Sequence, residues 1–196
     1  MRIILIILVC FVLGIVGKKV LAKTAKKKTV SPQEMYSILR NKAFTVTYKD
    51  LGEPQTSGKQ GAYGVLMETV MDKAVVSLVA FSTGDASLYF STGGGMIGGV
   101  SHENVRKAAV GFSLKAGEFL EKCQKTTSFP PPVSGKVAFY IFTKEGVYTV
   151  QTDEKNFEDG KDALAPLFFA GQEVITQFRL MDKDKEKAKP GAFKDN

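Results

Sequence analysis

The sequence predicts an α+β fold: a five-stranded, mainly antiparallel sheet flanked by three helices, with an N-terminal membrane helix before it. Three observations lead to this prediction. Five short segments rich in β-branched and aromatic residues are bounded by turn residues. Three other segments repeat apolar residues at three- and four-residue steps, which is the helical period. The chain also has an uncharged apolar run near its N-terminus, at residues 3–16. Strand segments and helix segments that are mixed along a chain favour one sheet covered by helices.

The N-terminal segment, residues 1–22, has the composition of a membrane anchor. Residues 3–16 (IILIILVCFVLGIV) carry no charge, and residues 3–22 reach about the 20 residues of a membrane span if Lys18 and Lys19 extend to the interface. Because lysines follow this segment, the positive-inside rule predicts a single-pass protein whose domain is cytoplasmic. The alternative is a signal peptide cleaved after Ala22, which would make the domain an exported one.

Basic residues are concentrated at the same end. Residues 1–30 hold seven of the 27 Lys and Arg residues and no acidic residue, so the rest of the chain has 20 basic and 20 acidic residues. A neutral domain lacks the basic surface that a nucleic acid needs, and we predict no nucleic-acid binding. Residues 23–30 are interpreted as a basic tether. The lysines predicted to meet anionic lipid headgroups are Lys18, Lys19, Lys23, Lys26, Lys27 and Lys28.

A capping box opens the first predicted helix and the domain, which is expected to cover residues 31–181. Residues 31–34 (SPQE) combine an N-cap serine, a proline at the first helical position and a glutamate three residues after the cap. The helix is predicted to have one apolar side, formed by Met35, Ile38 and Leu39. A short strand is predicted at Phe44–Tyr48, followed by a turn-rich loop at 49–61.

The five strands of the predicted sheet form two groups. Residues 62–71, 74–82 and 86–91 make a three-stranded meander, and residues 136–142 and 147–151 make a hairpin. Residues 75–81 are apolar on both faces, which predicts a central strand covered on both sides.

A glycine-rich loop, residues 93–99 (GGGMIGG), connects the meander to the central helix. Gly93, Gly95 and Gly98 formally match the GxGxxG pattern of dinucleotide-binding proteins. That site also needs a parallel βαβ unit and an acidic residue after its second strand. The preceding strands form a meander instead, and the candidate acids, Glu118 and Glu121, fall inside the helix.

Two interpretations of this loop stay open. In the first, glycine provides a positive φ and close backbone approach at a sharp strand-to-helix connection. In the second, free backbone N–H groups at the helix N-terminus bind an anion or small ligand. The residues of that binding site would be Gly93, Gly94, Gly95, Gly98, Gly99, Ser101 and His102.

Two further helices complete the domain. The central helix is predicted to begin at Ser101 as N-cap, and its many small residues allow close packing against a sheet or another helix. Residues 130–132 are a polyproline connector. The last helix is predicted over residues 162–181, and residues 182–196 are predicted to be a disordered charged tail.

Residues suited to catalysis are few. His102 is the one histidine, so His-based metal clusters and His-assisted nucleophiles have a single candidate. Cys123 lies on the apolar face of the central helix and is interpreted as a structural thiol. We therefore predict no catalytic residue, no metal site, no cofactor and a non-enzymatic protein.

The order of elements over residues 31–181 (helix, three strands, helix, two strands, helix) resembles that of the roadblock and profilin-like group of small α/β domains. The resemblance implies a dimerisation or interaction module. That group places two strands before the central helix and three after it, so no site residue is transferred.

The function predicted from the sequence is a membrane-anchored interaction or scaffold module with a protein partner or a second copy, joined through a sheet edge or the central helix. The alternative is a small-ligand or anion sensor that uses residues 93–99. The third possibility is an exported envelope enzyme.

Overall fold

The structure, a computed structural model, describes residues 30–57, 61–158 and 160–187. Within these residues the chain forms one antiparallel sheet of seven strands with four α-helices. The strands are β1 (Ala62–Met71), β2 (Ala74–Phe81), β3 (Ala86–Phe90), β4 (Gly95–Ile97), β5 (Gln124–Thr126), β6 (Lys136–Thr143) and β7 (Gly146–Asp153). The helices are α1 (Pro32–Ala43), α2 (Glu103–Ala116), α3 (Lys155–Glu158) and α4 (Ala165–Lys187).

The sheet has the order β4-β3-β2-β1-β6-β7-β5, so β1 is central and the two shortest strands form the edges. The predicted five-stranded sheet with three helices is therefore wrong in its counts, although its five strands are all present. The additional strands, β4 and β5, have three residues each. They lack the run of β-branched and aromatic residues that identifies a strand, and they form because β3 and β7 offer them a pairing partner.

One face of the sheet is covered by α2 and α4. Alternate residues of the central strands, such as Met67 of β1 and Phe139 of β6, point into this core and are fully buried. Phe112 of α2 and Phe178 of α4 fill it from the other side. Each such side chain contributes about 1.5–3 kcal/mol of burial free energy. The close packing expected of the small residues in α2 is found against α4 and β1.

The other face carries α1 and the segment that follows it. The predicted capping box is confirmed, because the Ser31 hydroxyl accepts from the Glu34 N–H at 3.1 Å and the Glu34 carboxylate accepts from the Ser31 N–H at 2.8 Å. Residues 44–48 do not form the predicted strand; their aromatic side chains cover the sheet instead. The predicted apolar side of α1 is also wrong in part, since Met35 and Ile38 are exposed and only Leu39 packs against the core.

No helix within the described ranges is long and apolar enough to cross a bilayer. The longest, α4, has charged residues along its length, including Glu173, Arg179 and Asp182. The predicted membrane helix at residues 1–22, with its lysines, lies outside the described residues. The structure therefore does not support a membrane helix or a single-pass membrane location, and both predictions are corrected. Helix α4 also continues to Lys187, beyond the predicted end at Met181.

Candidate functional site

The glycine-rich loop forms the turn and the second strand of a hairpin. The chain leaves β3 at Phe90 and returns as β4, with Gly95 opposite Tyr89 and Ile97 opposite Ser87. The Gly93 N–H donates to the Phe90 carbonyl at 2.8 Å, which closes the turn. Residues 93–97, the turn and β4, therefore form one edge of the sheet.

Close packing accounts for three glycines of the loop. A Cβ at Gly93 would lie 2.3 Å from Cβ of Pro32, one at Gly95 would lie 2.2 Å from the Leu88 carbonyl oxygen, and one at Gly99 would lie 2.5 Å from Cγ1 of Val105. Side chains do not approach so closely. Gly95 also has a φ of 153°, which residues with a Cβ rarely adopt. These contacts favour the structural interpretation of the loop.

The second half of the loop leads into α2 through a single 3₁₀ turn, Gly99–Ser101. The Ser101 hydroxyl donates to the Gly98 carbonyl at 2.9 Å, so it closes this turn. The N-cap of α2 is His102, and the predicted N-cap at Ser101 is wrong because the 3₁₀ turn moves the start of the helix. The structure does not gather the seven predicted site residues at one point. Gly93 and Gly94 form the turn before β4, whereas Gly98, Gly99, Ser101 and His102 follow β4 and lead into α2. Ligand binding there stays a prediction.

The β4 edge exposes apolar side chains and carries no charge. Ile97 is 66% exposed and Val100, in the 3₁₀ turn, is 40% exposed. From Ala86 to His102 the sequence contains no Asp, Glu, Lys or Arg. Sheet edges are usually protected by short strands, charged residues or proline; β4 is short, with three residues, but has neither a charge nor a proline.

The β5 edge has the opposite character. Lys125 lies in the middle of this strand, and Lys122 precedes it. Strand β5 pairs only with β7, so its outer side has no partner strand within the described residues.

The exposed surface of α2 is charged. Glu103 pairs with Lys107 at 2.7 Å, and Lys115 pairs with Glu118 at 3.0 Å. Since its apolar side is already covered by α4 and the sheet, α2 offers no apolar face for a second chain. This disfavours the central helix as a dimer contact and leaves the sheet edges.

A buried ion pair joins α1 to the centre of the sheet. Arg40 donates two hydrogen bonds of 2.7 Å to the two carboxylate oxygens of Glu68, which is fully buried on β1. Ser77 of β2 donates to Glu68 Oε1 at 2.5 Å, so the 3.0 Å bond between Tyr36 and Ser77 has Tyr36 as donor. Arg40 also donates to the Phe129 carbonyl at 2.9 Å. The bidentate geometry satisfies both charges away from water.

Sequence reasoning missed this network. The available signal was Glu68 itself, a single charge inside a strand that is otherwise apolar or uncharged. A charge at such a position needs a partner. The identity of that partner depends on how α1 crosses the sheet, which the sequence pattern does not specify.

An open groove lies on the α1 face beside β5. Its volume is about 450 Å³, and its floor includes Tyr140 of β6 and Thr149 and Gln151 of β7. Ser128, Pro130 and Pro131 form one wall, and Lys122 and Gln124 lie at the β5 side. Lys122 is the one charged residue among those lining the groove.

Several groups near these features have raised pKa values, among them Tyr140 and Cys123. Burial, with a further contribution from the charge of Glu68, raises the pKa of Tyr140, so its phenol is neutral and donates to the Pro130 carbonyl at 2.5 Å. Burial raises the pKa of the Cys123 thiol to about 11. A neutral thiol that donates to the Phe119 carbonyl fits a structural role rather than a nucleophile.

Comparisons with known proteins give no further assignment. No family model, no curated protein and no solved structure matches the chain. Among the described residues, no cluster of His, Cys, Asp and Glu has the arrangement of a metal site.

Proposed function

We propose that this domain is a protein-interaction module that forms a homodimer through the edge strand β4. The observation that carries the proposal is a sheet edge that is apolar and uncharged and that has no outer partner strand within residues 30–57, 61–158 and 160–187. The unpaired N–H and C=O groups of such an edge are a template for another strand.

A second copy of the chain fits this edge because the pairing is self-complementary. In an antiparallel arrangement about a two-fold axis, β4 of one copy faces β4 of the other, and the same patch serves both subunits. Like charges opposite each other would oppose such pairing. Residues 86–102 contain no charged residue, so this repulsion is absent.

Apolar side chains beside the strand would supply most of the stabilisation. A three-residue strand adds only a few hydrogen bonds, each worth about 0.5–1.5 kcal/mol net. Ile97 lies on the α1 face of the sheet, because it pairs with Ser87 and Ser87 pairs with Val79 of the α1-side core. Val100, in the adjoining 3₁₀ turn, is also exposed. Burying these two side chains would contribute about 1.5–3 kcal/mol each.

The test is a pair of variants with matched exposure. Ile97→Lys places a charge on the edge that would pair with the same edge of a second copy, whereas Val133→Lys makes the same kind of change at a loop residue that is 67% exposed and does not lie on β4. Light scattering after size-exclusion chromatography measures the mass. We expect the wild type and Val133→Lys to have twice the chain mass of 21.3 kDa, and Ile97→Lys to have the chain mass.

A monomeric wild type would refute the proposal, as would an Ile97→Lys variant that remains a dimer. Both variants change exposed positions, so circular dichroism should show the wild-type fold. That control separates loss of the interface from loss of the structure.

A further inference from the structure

We infer that the other edge of the sheet, strand β5 with the groove beside it, binds an extended acidic peptide segment of a partner protein. This inference rests on the charges and the groove at β5. It does not depend on the proposed β4 dimer.

Strand β5 is placed to receive an added strand. It ends the sheet, and its side chains alternate so that Gln124 and Thr126 line the groove, with Lys122 of the preceding 3₁₀ turn beside them. A peptide paired with the outer side of β5 would extend the sheet by main-chain hydrogen bonds. Its alternate side chains would then lie on the same face as the groove, where they can be recognised.

The charges at this edge select the partner. Lys122, which precedes β5, lines the groove, and Lys125 of β5 pairs with Tyr148 of the α2–α4-side core, so it lies on the opposite face. Neither lysine forms a salt bridge within the described residues. Glu121, the neighbouring acid, already has an interaction of its own. A second copy of β5 would bring lysines close to lysines, which is unfavourable. A strand with acidic residues would instead pair with them.

The wall of the groove is held in place before any peptide binds. Arg40 donates to the Phe129 carbonyl at 2.9 Å, and Tyr140 donates to the Pro130 carbonyl at 2.5 Å. The prolines that follow restrict the backbone further. Little ordering entropy is therefore lost at this wall on binding, which favours affinity.

The polar lining suits a peptide backbone. The side-chain amides of Gln124 and Gln151 are exposed and make no hydrogen bond within the described residues. Each offers donors and an acceptor to the amide groups of an extended chain. The volume of about 450 Å³ lies within the range of about 300–1,000 Å³ that is usual for ligand sites.

The experiment uses a phage library of random 12-residue peptides selected against the full-length protein. Selected peptides are synthesised with a fluorescent label, and their affinity is measured by anisotropy at low and high salt. We expect the selected sequences to be enriched in Asp and Glu and free of proline at the centre. We also expect binding to weaken with salt, because charge pairing contributes to it.

Charge reversal locates the site. The double variant Lys122→Glu, Lys125→Glu should weaken binding at least about tenfold, which corresponds to about 1.4 kcal/mol. Lys73→Glu, at the exposed β1–β2 turn, is the control with the same kind of charge change and should leave the affinity unchanged. Ile97→Lys should also bind normally, which separates this site from the β4 edge.

Three outcomes would overturn the inference. They are a selection that yields no binding peptide, a set of peptides without acidic enrichment, and acidic peptides whose affinity is unchanged in the Lys122→Glu, Lys125→Glu variant.

Discussion

Replacing Arg40 by methionine removes the cation of the buried pair and retains much of the volume of the side chain. The Glu68 carboxylate, which has no exposed surface, would keep only the Ser77 hydroxyl as a donor. The Phe129 carbonyl would also lose its 2.9 Å hydrogen bond. Removing one partner of a buried pair typically costs about 3–5 kcal/mol of unfolding free energy.

Urea unfolding followed by circular dichroism measures this loss. The unfolding free energy of a small domain falls by about 2 kcal/mol for each molar of urea, so a loss of about 4 kcal/mol lowers the urea concentration at the unfolding midpoint by about 2 M. The matched control is Lys136→Met, which breaks the surface pair with Asp153. Exposed pairs contribute little, so we expect no measurable change in the midpoint.

The double variant Arg40→Met, Glu68→Leu distinguishes burial of charge from loss of packing. If the cost of Arg40→Met comes from an unpaired buried carboxylate, removing that carboxylate should restore about 2 kcal/mol or more. The reasoning would be refuted if Arg40→Met cost less than about 1 kcal/mol, or if the two substitutions were simply additive.

Two further predictions concern single residues. Gly95→Val should lower the unfolding free energy by about 1–3 kcal/mol or more, because the new Cβ would meet the Leu88 carbonyl and the residue has a positive φ. The control, Gly111→Ala on the open face of α2, should raise the unfolding free energy by about 0.5–1 kcal/mol. Equal stability of the two variants in urea would contradict this prediction. Because the pKa of Cys123 is about 11 when folded and 9.0 ordinarily, the unfolded chain releases a proton that the folded chain keeps, and stability should fall as pH rises from about 9 to 11. Iodoacetamide labelling at about pH 9, read by mass spectrometry of the Cys123 peptide, should be several times slower in the folded protein than in concentrated urea. Equal rates would show that the half-buried position does not protect this thiol.

The sequence predicted those elements whose local signals agree with their final environment. The capping box at residues 31–34 and the apolar run of β2 are signals of this kind, since a helix cap and a strand covered on both faces leave direct patterns. The strands β6 and β7 were also found, because Glu145-Gly146 makes a tight turn between two aromatic-rich segments.

The elements that were missed depend on contacts distant in sequence. Strand β4 is rich in glycine and β5 is a three-residue polar segment, and each becomes a strand because a neighbouring strand offers it hydrogen bonds. The pattern of Met35, Ile38 and Leu39 is compatible with a buried side. In the structure a different side of α1, with Tyr36, Leu39 and Arg40, faces the sheet, and there Arg40 pairs with the buried Glu68.

The candidate site meets a related limit, and ligand binding there stays a prediction. The glycine-rich loop stands out in the sequence, but glycine spacing alone does not separate ligand binding from close packing. Pro32 and Leu88, the residues that meet Gly93 and Gly95, come from α1 and from the preceding strand. The groove at β5 left no sequence signal at all, because its lining comes from β6, β7 and the polyproline segment.

The different chemistry of the two sheet edges has a geometric consequence for assembly. Neighbouring strands lie about 4.8 Å apart, so a dimer joined at β4 forms a sheet of twice seven strands whose β5 edges lie about 60 Å apart. A partner with one acidic segment would then bind each end independently. A partner with two such segments would bind with avidity only if its linker spans about this distance. Monomeric Ile97→Lys would lose that avidity while keeping the affinity for a single peptide, so comparing one-segment and two-segment peptides on the two proteins tests both edges in the same experiment.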